Sequence, residues 1–348
     1  MKLIDKIGVG RRIVESSFLK KRNLISVEFQ ITSHCNLSCK YCVPISKYID
    51  KNGSSAGKIL TFEQISETFS KLSRLNVERV NLSGGEPLLR NDIDKILKSA
   101  FGNKFKLTVT TNGIFVPRYI DILTRVNSLI ISCDGQEHTH DFLRGKGTFK
   151  EVIKALDICK QRNIKVLISA VITGQTSKQD LLFLIKLCDF YDIFCVFQPV
   201  ANLLFFRDTH KADEKIGEFV PTQRHLKGLI VSLKNNRHKS RIIGGNMLFK
   251  FLSQQQLEPF RQPERKEDCM AGRLFLYIAP DGRMFPCTWR CDPLSDKTIQ
   301  ECTPAEINNI KVDKIKCPGC SCYAYKILNN LARLDLRSIV YSFRCNYV

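Results

Sequence analysis

The sequence has no apolar run fit to cross a bilayer. Its most apolar stretch, residues 181–197, is interrupted by Lys186, Asp189 and Asp192 and reads as a helix running into a strand. A secretory start is missing too, since MKLIDKIGVGRRIVESS has neither an apolar core nor a small-residue cleavage site. These absences point to the cytoplasm, where a disulfide framework is not maintained. No low-complexity segment is present, and no internal repeat beyond the βα units described below. Acidic residues are scarce: 34 Asp and Glu against 54 Lys and Arg leave a net charge of +20. That balance suits an acidic partner such as a nucleic acid, an anionic membrane surface or an acidic peptide. The basic residues are dispersed, densest in KNNRHKSR at 234–241, so a Lys-rich solvated surface explains the charge equally well, and neither a membrane nor a nucleic acid is the expected partner.

Cysteine, by contrast, is abundant, with 15 in 348 residues. Without a signal to carry them into an oxidising compartment, metal ligation explains them better than disulfides do. The length exceeds one ordinary compact core, and 43% hydrophobic residues can bury a sizeable interior. One large α/β domain, or a main domain with an appendage, is therefore expected.

Residues 1–25 read as an amino-terminal extension. From 26 to 200, short β-branched or apolar runs alternate with longer amphipathic stretches, the pattern of βα units around a parallel sheet. Strands are expected at 27–31, 79–82, 106–110, 128–132, 165–171 and 193–198, and helices at 61–75, 91–100, 117–125, 149–162 and 177–190. Thr61 followed by Gln64 has the form of a capping box, and Pro117 fits a first helical turn. Six units result. They predict an α/β fold, a partial (βα)6 TIM-like barrel whose functional loops lie at the carboxyl ends of its strands. Residues 201–266, rich in Lys, Arg, Gln and Asn with two expected helices, form a bridge. Residues 267–348 form a small cysteine-rich carboxyl-terminal module containing an amphipathic helix near 325–341.

HCNLSCKYC places Cys35, Cys39 and Cys42 on the loop directly after the first strand. Three closely spaced thiolates can wrap one iron–sulfur cubane and leave its fourth iron without a protein ligand. Random placement of the cysteines would give this spacing only about 0.03 times in such a chain. A zinc site completed by His34, or buried structural cysteines, are the competing readings.

CxxxCxxC after the first strand of a six-unit βα array resembles the radical SAM superfamily. The resemblance implies that Cys35, Cys39 and Cys42 hold a [4Fe-4S] cluster whose open iron binds S-adenosylmethionine and whose electron splits it to a 5′-deoxyadenosyl radical. It also implies cofactor contacts. Tyr41, just before the third cysteine, would lie against the adenine. Gly84, Gly85 and Glu86 match the family's GGE motif, with backbone carbonyls and Glu86 accepting from the methionyl ammonium. Asn112 after the third strand, and Ser132 and Asp134 after the fourth, match small polar contacts to the ribose and methionyl portion. Arg144 in HDFLRGKGTF matches a family arginine that approaches the cofactor, and Gln198-Pro199 closes the sixth strand where substrate or adenine contacts are found.

Farther on, Cys269, the hairpin pattern LFLYIAPDGRMFPC ending at Cys287, and Cys317-Pro-Gly-Cys320 resemble the twitch and SPASM extensions of the same superfamily. The turn Pro280-Asp281-Gly282 would bring Cys287 toward Cys269. Cys269, Cys287, Cys317 and Cys320 are then the implied ligands of one auxiliary [4Fe-4S] cluster. The short spacing to Cys322 departs from the fuller SPASM pattern; Cys291, Cys302, Cys322 and Cys345 either complete a second cluster or are structural. Cys133, Cys159, Cys188 and Cys195 lie in apolar patterns and read as core. A zinc ribbon is the competing reading of the terminal module.

By this resemblance the chain is an enzyme that abstracts hydrogen from a peptide or protein side chain, fed by an electron donor such as a flavodoxin or ferredoxin. Dehydrogenation of a small molecule, a sugar or alcohol, is the alternative. About 25 residues precede the barrel, which leaves no room there for a peptide-recognition domain. A non-catalytic zinc protein binding nucleic acid is the reading from a different class.

Overall fold

In SVEFQIT, the first strand, Val27, Phe29 and Ile31 are wholly buried while Glu28 and Gln30 are half-exposed. This period-two alternation gives a strand one apolar and one polar face. It recurs in the neighbours. The computed structural model describes residues 3–19, 21–42, 59–200, 214–237, 239–253, 269–288 and 293–312. The expected helix near 325–341, and Cys291, Cys317, Cys320, Cys322 and Cys345, lie outside the described residues.

The first strand is β1 (Ser26–Thr32), followed by β2 (Arg79–Gly84), β3 (Lys106–Thr111), β4 (Ser128–Ser132), β5 (Val166–Ile172) and β6 (Phe194–Pro199). All six pair in parallel and in chain order. Register places buried against buried: Val27 opposite Val80, Val80 opposite Leu107, Val109 opposite Leu129, and Ile131 opposite Ile168. Helices cover that apolar face. After α1 (Leu3–Phe18) come α2 (Phe62–Arg74), α3 (Ile93–Phe101), α4 (Ile120–Leu123), α5 (Glu137–Arg144), α6 (Thr148–Gln161) and α7 (Lys178–Tyr191).

Local chemistry sets several boundaries. Thr61 and Gln64 form the expected capping box at the start of α2, and Ser177 with Asp180 forms another on α7. Phe29 and Phe69 of α2 meet edge to face with ring centroids 6.0 Å apart, joining sheet to helix. Burial of a side chain such as Phe29 contributes about 2–3 kcal/mol.

The sheet does not stop at six strands. β7 (Phe275–Ile278) pairs in parallel with β1, and β8 (Met284–Phe285) returns antiparallel through the turn at Pro280-Asp281-Gly282. The expected hairpin therefore exists, and it extends the barrel's own sheet, to give the order β6-β5-β4-β3-β2-β1-β7-β8. The bridge contains α8 (Glu214–Gly217), α9 (Gln223–Lys234) and α10 (Gly245–Ser253), and α11 (Pro304–Asn309) follows the hairpin. Among the described residues, no helix is long and apolar enough to cross a membrane.

Candidate cofactor site

Strand β1 ends in a break of register: Gln30 lies opposite Ser83, but Thr32, two residues on, lies opposite Gly84. The break carries residues 33–42 across the end of β2. There the Gly85 N–H donates to the Thr32 carbonyl at 2.9 Å and the Glu86 N–H to the His34 carbonyl at 2.8 Å. Only glycine permits this approach. A Cβ on Gly84 would strike the Thr32 carbonyl and one on Gly85 the His34 carbonyl, and Gly84 has φ 142°. This close backbone approach is made toward the cysteine loop.

Glu86 has no exposed surface. Its carboxylate accepts from the N–H of Leu88 at 3.0 Å, the N–H of Asn112 at 2.7 Å and the Thr111 hydroxyl at 2.8 Å. Burial pushes its pKa up to about 7 in spite of these bonds. These three donors fasten the ends of β2 and β3 together. Asn112, also buried, donates from Nδ2 to Asn36 of the cysteine loop at 2.9 Å.

The far side of the loop is held by Asp134, wholly buried after β4. It accepts from Tyr41 Oη at 2.6 Å, Arg144 Nε at 2.6 Å, Arg144 Nη2 at 3.2 Å and the Val171 N–H at 3.0 Å. Burial alone would raise the Asp134 pKa; the Arg144 charge and hydrogen bonds outweigh it and hold the carboxyl below its ordinary range. The Tyr41 ring packs in a small apolar cluster with Leu143, Val200, Ile216 and Phe219, and Lys40 N–H donates to the Leu143 carbonyl at 2.9 Å. Tyr41, Asp134 and Arg144 are thus brought together, with their polar groups turned largely on one another. Ser132 at the end of β4 and Gln198, next to last in β6, are half-exposed, on the face that carries Glu28 and Gln30 in β1.

Cys35 and Cys42 are exposed on this braced loop and Cys39 is half-buried. The Leu37 N–H points at Cys35 Sγ, 3.4 Å away. Burial raises the pKa of Cys35 and takes that of Cys39 to about 11, so these thiols keep their protons at neutral pH unless a metal displaces them. Among the described residues, no three Cys, His, Asp or Glu side chains are gathered around a single point. A cubane makes a different demand, because each of its thiolate ligands bonds a different iron.

Of the second cysteine set, Cys269 is half-buried and Cys287 buried. Gly272 N–H donates to the Pro286 carbonyl at 3.2 Å, which brings the two cysteine-bearing segments side by side. Cys302 is buried in the core, as are Cys133, Cys159, Cys188 and Cys195.

Two residues escaped the sequence reading. His140, on α5, is buried and accepts the Asp134 N–H at Nδ1, 3.2 Å away, while burial lowers its pKa to about 4. Glu28 accepts from Asn81 Nδ2 at 2.7 Å and from the Ser83 hydroxyl on the sheet's polar face. The alternation V-E-F-Q-I was the available signal for Glu28; His140 gave none without its partner.

Comparison with known proteins agrees with this geometry. Residues 29–188 match the radical SAM superfamily. Pre-heme d1 synthase of Dinoroseobacter shibae is 31% identical over 63% of this chain, which spans about half of that relative's length, 54%. The sporulation killing factor maturation protein SkfB of Bacillus subtilis is 28% identical over 86% of this chain and 68% of its own. Among solved structures, Streptococcus suis SuiB bound to precursor peptide SuiA superimposes with a TM-score of 0.60 at 15% identity, covering 92% of this chain and 77% of that one. With the cysteine loop seated on the end of a parallel sheet of this kind, residues 29–188 carry a radical SAM domain.

Proposed function

We propose that the chain binds a [4Fe-4S] cluster through Cys35, Cys39 and Cys42, binds S-adenosylmethionine beside it, and abstracts hydrogen from a peptide side chain. The observation that carries this reading is the bracing of the cysteine loop from two sides, by Gly84, Gly85 and Glu86 and by Tyr41, Asp134 and Arg144. The donor set fits the group: three thiols on one loop, two of them exposed. When bound, the cluster and S-adenosylmethionine supply a 5′-deoxyadenosyl radical.

The chain's own residues do the rest. Glu86 and Asn112 fix where the loop stands relative to β2 and β3, and the buried Arg144 sets a positive charge close to Cys39. Ser132, Gln198 and the Glu28–Asn81–Ser83 group offer hydrogen-bonding atoms on the polar face of the sheet for cofactor and substrate. Cys269 and Cys287, with Cys317 and Cys320, would hold one auxiliary [4Fe-4S] cluster.

Peptide substrates are supported by the names of SkfB, a maturation protein, and SuiB, bound to a precursor peptide, and by a net charge of +20 that suits an acidic peptide. A cytoplasmic setting with a flavodoxin or ferredoxin as electron donor completes the proposal. The similarity to pre-heme d1 synthase favours a small-molecule substrate as the second reading. The two part in one assay. Reduced protein with S-adenosylmethionine should release 5′-deoxyadenosine faster when acidic peptides are added; acceleration by small molecules alone would transfer the function to the second reading.

A further inference from the structure

The polar face of the sheet, turned away from the helices, carries one charge with no counterpart. Among the described residues, Glu28 is the only acidic side chain on any strand. It lies opposite Asn81 and Tyr277, four residues before Thr32, and so about 13 Å deeper than the strand ends that hold the cysteine loop.

Glu28 is reachable by solvent yet closely surrounded by protein, and this burial raises its pKa. A group both accessible and desolvated lines an interior hollow. Its carboxylate is held in place: Asn81 Nδ2 donates to Oε2 at 2.7 Å, and the Ser83 hydroxyl donates to Oε1. Asn81 is fixed in turn by Thr110, whose hydroxyl donates to Asn81 Oδ1 at 3.1 Å. Both donors to Glu28 are neutral. They fill two of the roughly four acceptor positions of a carboxylate and bring no positive charge. Among the described residues, no Lys, Arg or His is paired with Glu28. The cations at the amino ends of β2 and β3, Arg79 and Lys106, have Glu78 instead, 3.0 Å from Lys106.

A buried carboxylate without a positive partner is costly, and a ligand that brings one supplies what the fold lacks. Asn81 and Ser83 orient the carboxylate without neutralising it, so its remaining lone pairs are aimed and its charge is uncompensated. Its depth separates it from the strand ends, which assigns the missing cation to the substrate. We propose that Glu28 selects the substrate by pairing with a cationic side chain, a lysine ammonium or an arginine guanidinium, within an otherwise acidic peptide; this rests on the peptide-modifying reading above.

Binding is tested through the thermal midpoint of the anaerobically reconstituted full chain. The probes are n-butylammonium chloride, which mimics a lysine side chain, its neutral counterpart n-butanol, and sodium chloride at matched ionic strength. n-Butylammonium should raise the midpoint saturably, and n-butanol should not. Glu28→Gln keeps the shape and removes the charge, and should weaken the n-butylammonium response at least about tenfold. If Glu28→Gln does not fold, the wild-type preference for n-butylammonium over n-butanol decides alone. Specificity has its own readout. Acidic peptides with a central lysine should accelerate 5′-deoxyadenosine release about tenfold more than those with norleucine there, and in Glu28→Gln that ratio should fall to about one. If no peptide accelerates release while n-butylammonium still binds through Glu28, the peptide reading fails and the cation site stands. No saturable shift in wild type, an equal shift from n-butanol, an undiminished response in Glu28→Gln, or equal acceleration by lysine and norleucine peptides would each overturn the role of Glu28.

Discussion

Asp134 links three elements through four hydrogen bonds while wholly buried. Its pairing with Arg144 balances two charges that could not be buried singly, so Asp134→Asn leaves a buried guanidinium without its anion. Loss of about 3–5 kcal/mol is expected, read by urea denaturation of variant and wild type. The Asp134 carboxyl titrates below its ordinary range when folded. Its contribution is therefore intact above about pH 4 and disappears as pH falls through the lower folded value. His140 acts over a different window. Held near 4 when folded against an ordinary 6.5, it is the unfolded chain that takes up the proton first as pH drops. Between pH 7 and 5 the wild type should lose about 2 kcal/mol more stability than His140→Gln, which has no proton to take up. Parallel losses in the two proteins would refute a neutral, buried His140.

At the scale of elements, the cysteine loop has no regular structure of its own and is shaped by the ends of β2, β3 and β4. Gly85→Ala probes this docking. Its new methyl group meets the His34 carbonyl, so the β2 turn and the loop must separate. Such overpacking costs about 1–3 kcal/mol, and the variant should fold yet retain less iron per chain after anaerobic reconstitution. Unchanged iron and unchanged stability would mean that the loop does not depend on this contact. The strands and most helices were legible because period-two and helical patterns are local properties of the chain. Bracing was not, since Tyr41 and Asp134 are 93 positions apart and the motif alone makes both look like ligand contacts. α5 is not legible in the sequence, because a short polar helix such as EHTHDFLR carries little periodic signal.

Over the whole molecule, the two ends of the sheet carry different groups. The carboxyl ends of the strands carry the braced cysteines, and the amino ends carry an arginine-lined groove beside α1. The cysteine-bearing hairpin joins the barrel through β1, the strand that also delivers Cys35, Cys39 and Cys42. This linkage across 249 positions of chain could not be read from either motif, because parallel pairing needs no local signal. The most direct test of the central claim is the release of 5′-deoxyadenosine from S-adenosylmethionine by anaerobically reconstituted, reduced protein. Wild type should release it, and a variant with Cys35→Ala, Cys39→Ala and Cys42→Ala together should release none. Product from that triple variant, or none from a wild-type protein loaded with iron and sulfide, would contradict the account.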